Sequence, residues 1–261
     1  MSAAPNADDL SRAEHRLYAV RDGAEPCSAA CWAQMAREEI EEVQGSKRLP
    51  VLVGGTGLYL RTLLEGIAPV PRIEAEVRRQ VRSAGVAENH TRLRQLDRAA
   101  AERLNPADTT RVARALEVIL STGRTLADWQ EDRQGGIVDR IKLRPLILLP
   151  PRDWLYARCD ARFAQMFEGG AVDEVKALLA RKLDPKLPIM RAIGVRVIEA
   201  FLRGDLSTAE AIAAGQQATR RYAKRQYTWF AHQPPADWPR FTDPIDRDSM
   251  AVVLELLHSS A

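Results

Sequence analysis

Residues Leu49-Pro50-Val51-Leu52-Val53-Gly54-Gly55-Thr56-Gly57-Leu58-Tyr59-Leu60-Arg61 constrain the backbone more than any other stretch of the chain. Val51 to Val53 is a short apolar, mostly β-branched run that reads as a buried strand. Gly-Gly-Thr-Gly reads as a turn, and Leu58, Leu60, Leu63 and Leu64 then follow an amphipathic helical pattern. Strand, glycine loop and helix in that order bring backbone N–H groups and a helix N-terminus up to a ligand. The loop lacks the Gly-Lys-[Ser/Thr] ending of a phosphate-binding P-loop, and no such element occurs in the 261 residues.

That length fits one large domain or a core with an insertion. With 46% apolar and 28% charged residues the composition is that of a globular protein, not a disordered or membrane one. A net charge of +3 says little about nucleic acid by itself. The distribution says more, because Arg and Lys concentrate at 78–83, 111–114, 191–203 and 220–225. Cys27, Cys31 and Cys159 make no disulfide framework, and no further Cys/His pair completes a zinc site. No apolar run approaches the roughly 18 residues of a membrane span, and Met1 to Leu10 lacks the basic and apolar regions of a signal peptide. The expectation is a soluble cytoplasmic protein with no membrane partner.

Asn6 signals a short helix near the start, and Ser28 caps a helix of about 29–44. From 72 to 140 the chain is rich in Ala, Arg and Glu, with no convincing strand. Asn105-Pro106-Ala107-Asp108 starts a helix there that ends near Gly123, and Gln134-Gly135-Gly136 is a hinge candidate. A buried-type strand resumes over 143–150 between prolines, and helices follow at 152–168, 171–182, from Ser207 to Phe230, and at 247–258. This organisation divides the chain into a discontinuous α/β core, 1–71 and 141–261, and a helical insertion, 72–140.

Arg221, Lys224, Arg225 and Thr228 fall at i, i+3, i+4 and i+7 on the long helix, beside an apolar stripe of Ala218, Tyr222 and Trp229. A basic stripe anchored by packed aromatics suits phosphate contacts, and a solvated helix face is the alternative. Arg191 and Arg196 flank Gly194, and Arg111 and Arg114 lie one turn apart. Each pair is either an ion-pair site or part of a polyanion site. Arg158 and Arg162, at i and i+4, face a diphosphate or else pair with Asp160, Glu168 or Asp173. His15 reads as a structural histidine. No Ser/His/Asp or Cys/His catalytic set is evident.

Taken in order, several segments resemble the bacterial tRNA dimethylallyltransferases, also called tRNA isopentenyltransferases. They are Val51–Leu64, Glu65-Gly66-Ile67-Ala68-Pro69, Arg103–Val118 with its Leu-Asn-Pro-Ala-Asp-Thr-Thr-Arg-Val-Ala-Arg core, Arg191-Ala192-Ile193-Gly194, and Thr219–Phe230. The resemblance implies a P-loop-NTPase-like, nucleotide-kinase-like parallel-sheet core with an all-helical insertion that clamps the tRNA anticodon stem-loop. The implied reaction moves a dimethylallyl group from dimethylallyl diphosphate to N6 of adenosine 37, with Mg²⁺, in a monomer. Flipping the target base out of the stack is the physical requirement.

Residue by residue, the resemblance implies that Thr56 lies in the reaction channel beside the flipped nucleotide. It implies tRNA contacts from Arg78, Thr110, Arg111, Val112, Ala113 and Arg114 on the insertion. From the core it implies contacts by Arg191, Ala192, Ile193, Gly194, Val195 and Arg196, by Arg221, and by Lys224, Arg225, Gln226, Tyr227, Thr228, Trp229, Phe230 and Ala231. Arg158 and Arg162 remain the diphosphate candidates. The family pattern places an aromatic at Val195 and an arginine at Ala231. It also opens with a strand, a P-loop ending Gly-Lys-Thr, a helix and an Asp-Ser-x-Gln segment whose Asp is the expected base. Met1 falls just after these, with Ser2-Ala3-Ala4-Pro5 matching the next family segment, so a unit on the order of 40–50 residues is expected to be missing and an apolar edge exposed beside Val51–Val53. A non-catalytic tRNA-binding remnant and, less aptly, a nucleotide-kinase-like phosphotransferase are the competing readings.

Overall fold

The computed structural model describes residues 4–259, so Ser2 and Ala3 of the segment matched above lie outside it. Along the chain run α1 (Ala7–Arg12), α2 (Ala29–Gly45), α3 (Gly57–Glu65), α4 (Ala75–Ser83), α5 (Val86–Leu96), α6 (Arg98–Arg103), α7 (Thr109–Thr122) and α8 (Leu126–Glu131). Then come β1 (Ile147–Leu148), α9 (Arg152–Met166), α10 (Val172–Ala180), α11 (Val195–Leu202), α12 (Thr208–His232), β2 (Arg240–Phe241) and α13 (Met250–Ser259). The chain forms two units, one made of the chain up to Leu60 and from Lys142 onward, the other Arg61–Ile141.

In the first unit the helix starts follow local chemistry. The Asn6 side chain accepts from the Asp9 N–H and Asp9 returns a bond to the Asn6 N–H, while Ser28 Oγ accepts from Cys31 N–H at 3.1 Å. The expected strand over Val51–Val53 does not form. The segment has no ladder partner among the described residues, and Val51 and Val53 stand 77% and 79% exposed. A β-branched run supplies propensity, but a strand exists only where another backbone pairs with it. The expected strand at 143–150 likewise narrows to β1. It pairs in parallel with β2, Ile147 opposite Arg240, and is held by Ile147 N–H to Pro239 O (3.0 Å) and Leu149 N–H to Phe241 O (2.8 Å). The α/β class therefore holds in a reduced form, a small parallel sheet within a mostly helical chain.

The core of this unit is Phe163, Phe167, Ala171, Val175, Val195, Ile198 and Ala211, from α9 to α12. Burying side chains of this size stabilises by about 1.5–3 kcal/mol each. α9 and α12 pack so closely that a Cβ on Gly215 would sit 1.9 Å from the Phe163 ring. Alongside, Arg220 Nη1 donates to both Asp160 carboxylate oxygens at 2.6 Å, and Gln216 Nε2 donates to Asp160 O at 3.1 Å. A π-type turn at Phe167–Ala171, with Gly170 at φ 112°, separates α9 from α10.

The second unit is a helical cluster around Val81, Leu93, Val112 and Leu116, all fully buried. Asp108 accepts from Arg111 N–H at 2.9 Å to start α7, and Gly123 at φ 68° ends it. Gln134-Gly135-Gly136 is stapled to the end of α3. Ile67 and Gln134 exchange backbone bonds at 3.0 Å, and a Cβ on Gly136 would meet Leu64 O at 2.6 Å.

Candidate functional site

The glycine loop sits on one face of α12. Gln226 Nε2 donates to Gly55 O at 2.8 Å, the Thr56 and Tyr222 hydroxyls are 3.5 Å apart, and Gly57 abuts the Trp229 ring. Tyr222, Gln226 and Trp229 recur at i, i+4 and i+7, so they form one stripe. A Cβ would lie 2.2 Å from Gln226 Nε2 at Gly55 and 2.2 Å from Trp229 Cδ2 at Gly57, whereas one at Gly54 would meet nothing. The rigid Trp229 ring thus requires glycine at position 57, whereas at position 55 the neighbour is the movable end of the Gln226 side chain. Beyond it, Tyr59 donates to Cys27 O at 3.2 Å and its ring lies 5.5 Å from Trp32. Burial pushes the Tyr59 phenol up, which keeps it protonated as that donor.

The adjacent face of α12 carries Arg221, Lys224, Arg225 and Thr228, all exposed. Arg225 lies 5.5 Å above the Tyr222 ring, and Thr228 Oγ1 donates back to Lys224 O at 2.9 Å. Arg221 and Lys224 make no ion pair among the described residues. Tyr227 turns inward, donating to Leu149 O at 3.4 Å beneath the Arg152 guanidinium. Trp229 and Phe230 meet edge to face at 4.9 Å, and Ala231 is half-buried. One helix therefore seats the Thr56 loop and also presents a cationic stripe.

The other basic groups are dispersed. In the first unit, Arg191 Nη2 donates to Lys186 O at 2.5 Å, Ala192 and Ile193 are half-buried, and Arg196 is exposed. Gly194, at φ 93°, opens α11, and the Val195 side chain is buried in the core. Arg158 stacks 4.7 Å over Trp154, while Arg162 lines an open cavity of about 360 Å³ with Asp9, His15 and Tyr18. Arg220 occupies Asp160, the nearest carboxylate in sequence to both arginines. In the second unit Thr110, Arg111 and Arg114 face outward, fully or partly, but Val112 and Ala113 are core residues whose side chains cannot reach solvent.

Sequence reasoning did not single out Arg72, Arg82 and Glu117. Arg72, Arg78, Arg79 and Arg82 line one cavity of about 410 Å³ on α4 and the residues before it, and the buried Glu117 on α7 holds Arg82. The basic run at 78–83 was the available signal. Nothing in the sequence marked Glu117 as buried. Among the described residues no three His, Cys, Asp or Glu side chains converge as a metal site. Burial pushes the Cys159 thiol up, which makes it a poor nucleophile.

Fold and site together define a mostly helical protein with a small parallel sheet, carrying a glycine loop and several exposed cationic groups. The family model described as IPP transferase matches residues 1–233, and the chain belongs to that family. It is 60% identical over 248 residues to a tRNA dimethylallyltransferase of Sphingopyxis alaskensis, covering 95% of this chain and 81% of that one. Against the enzyme of the same name from Novosphingobium aromaticivorans it is 55% identical over 258 residues, covering 98% and 92%. Among solved structures it resembles the tRNA isopentenylpyrophosphate transferase of Bacillus halodurans at a TM-score of 0.65 and 30% identity, covering 99% of this chain and 83% of that one.

Proposed function

We propose that the chain transfers a dimethylallyl group from dimethylallyl diphosphate to N6 of adenosine 37 in the tRNA anticodon loop. The observation that carries this is the seating of Gly55-Thr56-Gly57 on α12, one face away from Arg221, Lys224 and Arg225, in a chain so close to proteins of that name. The same reading takes the small sheet as part of a nucleotide-kinase-like core and the protein as a cytoplasmic monomer. No described helix is long and apolar enough to cross a membrane.

In the transfer, a bond forms between N6 and C1 of the dimethylallyl group, the C1–O bond breaks, diphosphate leaves, and the N6 proton passes to solvent. The substrate adenine must first leave its stack, which backbone contacts by Arg221, Lys224 and Arg225 make possible by holding the flanking phosphates. Thr56 and Tyr222 then offer two hydroxyls to orient the extruded base. Arg191 and Arg196 in the core and Arg78, Thr110, Arg111 and Arg114 in the second unit add contacts to the tRNA backbone. Val112, Ala113 and Val195 support these segments from within the cores. Arg158 and Arg162 are the cations for the leaving diphosphate. Mg²⁺, which the resemblance implies, would be held mainly by the diphosphate itself, since no three His, Cys, Asp or Glu side chains converge among the described residues, and no step above uses it.

The test is incubation of the full chain with tRNA and dimethylallyl diphosphate, followed by mass analysis of the nucleosides. N6-dimethylallyladenosine is the expected product, and Thr56→Ala should lower its rate on the order of 10²-fold by misplacing the base. Salt-sensitive tRNA binding without any product would overturn the proposal in favour of a non-catalytic RNA-binding protein, a reading that relatives at 46–60% identity do not favour.

A further inference from the structure

The transfer uses no thiol, yet two of the cysteines touch. Cys27 stands just before the Ser28 cap of α2, Cys31 sits in the first turn, and the Cys27 thiol hydrogen-bonds with Cys31. Both are partly exposed, so small reagents can reach them. Arg21 Nη2 is committed to Glu25 at 2.8 Å, while its Nη1 donates to Cys31 Sγ at 3.6 Å. Cys27 Sγ also lies 3.7 Å from Ser28 O, and burial together with the neighbouring Cys31 pushes its thiol up. Cys27 therefore keeps its proton while Arg21 steadies negative charge on the Cys31 sulfur.

The pair is tied to the glycine loop through backbone. Cys27 O accepts the hydroxyl of Tyr59, in the first turn of α3, at 3.2 Å, and the Trp32 ring lies 5.5 Å from the Tyr59 ring. Cys31 is held within α2, where Ser28 Oγ accepts its N–H at 3.1 Å. Cys27 lies outside the helix, so drawing the two sulfurs together moves Cys27 and, with it, the carbonyl that Tyr59 holds. Cysteines kept for packing are among the most buried residue types, whereas these two sit partly at the surface beside a charge.

We infer that Cys27 and Cys31 form a redox-active dithiol, a reversible modification site whose reaction partner is a low-molecular-weight disulfide, and that its closure loosens the glycine loop. Cys31, as thiolate, attacks one sulfur of the small disulfide, and the other half leaves as a thiolate that takes up a proton. Cys27 then gives its proton to solvent and attacks the Cys31 sulfur of the mixed disulfide, expelling the second half as a thiol. Two protein thiols are thereby oxidised to one disulfide, and the small disulfide is reduced to two thiols. In a reducing compartment such a bond is transient and not a structural cross-link. The thiol chemistry is independent of the tRNA reading, and its effect on transfer rests on that reading.

Peptide mapping of the full chain after incubation with oxidised glutathione tests it. The peptide carrying Cys27 and Cys31 should lose the mass of two hydrogen atoms and resist alkylation until dithiothreitol is added, while Cys159 forms no link. A peptide that stays open to alkylation, or glutathione adducts on Cys27 or Cys31 that never resolve, overturns the dithiol. Hydrogen exchange at the amides of residues 54–60 should quicken on oxidation and recover on reduction. Dimethylallyl transfer by the oxidised chain should fall about tenfold, as displacement of the loop carrying Thr56 predicts. Cys31→Ser should make both readouts indifferent to oxidant, and Cys159→Ser should respond as the wild type does. A closed disulfide with unchanged exchange and rate overturns the link to the loop. A reduced chain that forms no product overturns the functional reading instead, and the mapping and exchange still decide the dithiol.

Discussion

Gly57 does not adopt a left-handed backbone, so its lack of a side chain reflects space alone, and the space is taken by Trp229. Gly57→Ala should destabilise the first unit by about 1–3 kcal/mol and misplace Thr56, and Gly54→Ala should do neither. Combining Gly57→Ala with Trp229→Ala in a double-mutant cycle, followed by urea melts, should show less than additive loss, because the second change opens the space the first needs. The glycines were legible in the sequence as a loop that something approaches closely. What approaches was not, because Gln226 and Trp229 lie some 170 residues away along the chain, at helical spacing that also fits a plain buried stripe.

Helices were read well from sequence because their signals are local. Asn6, Ser28, Asp108 and Ser207 each cap the helix that follows them, as the residue types suggested. Replacing Asp108 with Ala should cost about 1 kcal/mol, seen as a lower thermal midpoint. The start of α12 carries a pH dependence as well. Hydrogen bonds from the Ser207 hydroxyl and backbone N–H hold the Glu210 carboxyl below its usual range. Its contribution is therefore complete above the ordinary carboxylate pKa and fades as pH falls through the lowered folded value. Helical circular dichroism followed from neutral to acid pH should show this loss, and Glu210→Gln should flatten that part of the curve. The strands fared differently, since Val51–Val53 has every local mark of a strand and lacks only a second backbone beside it.

Across the whole molecule, stability resides in two separate cores, one around Leu116 and one around Ile198. Leu116→Ala should cost about 2–5 kcal/mol, and hydrogen exchange should register it first in amides of α5 and α7, with α9 and α12 still protected. The small sheet adds little, since β1 and β2 contribute two residues each. α12 has the wider role, because its successive faces grip the glycine loop, present the basic stripe and pack on α9. A rigid helix advances about 100° per residue. A single codon inserted after Ala223 would swing Lys224, Arg225, Gln226 and Trp229 onto the wrong sides together, while an equal insertion after Gly204, in the open turn before Ser207, would leave them aligned. Prenyl transfer should survive the second lengthening and vanish with the first. In this stretch of the gene the length is therefore constrained as tightly as the residues it encodes.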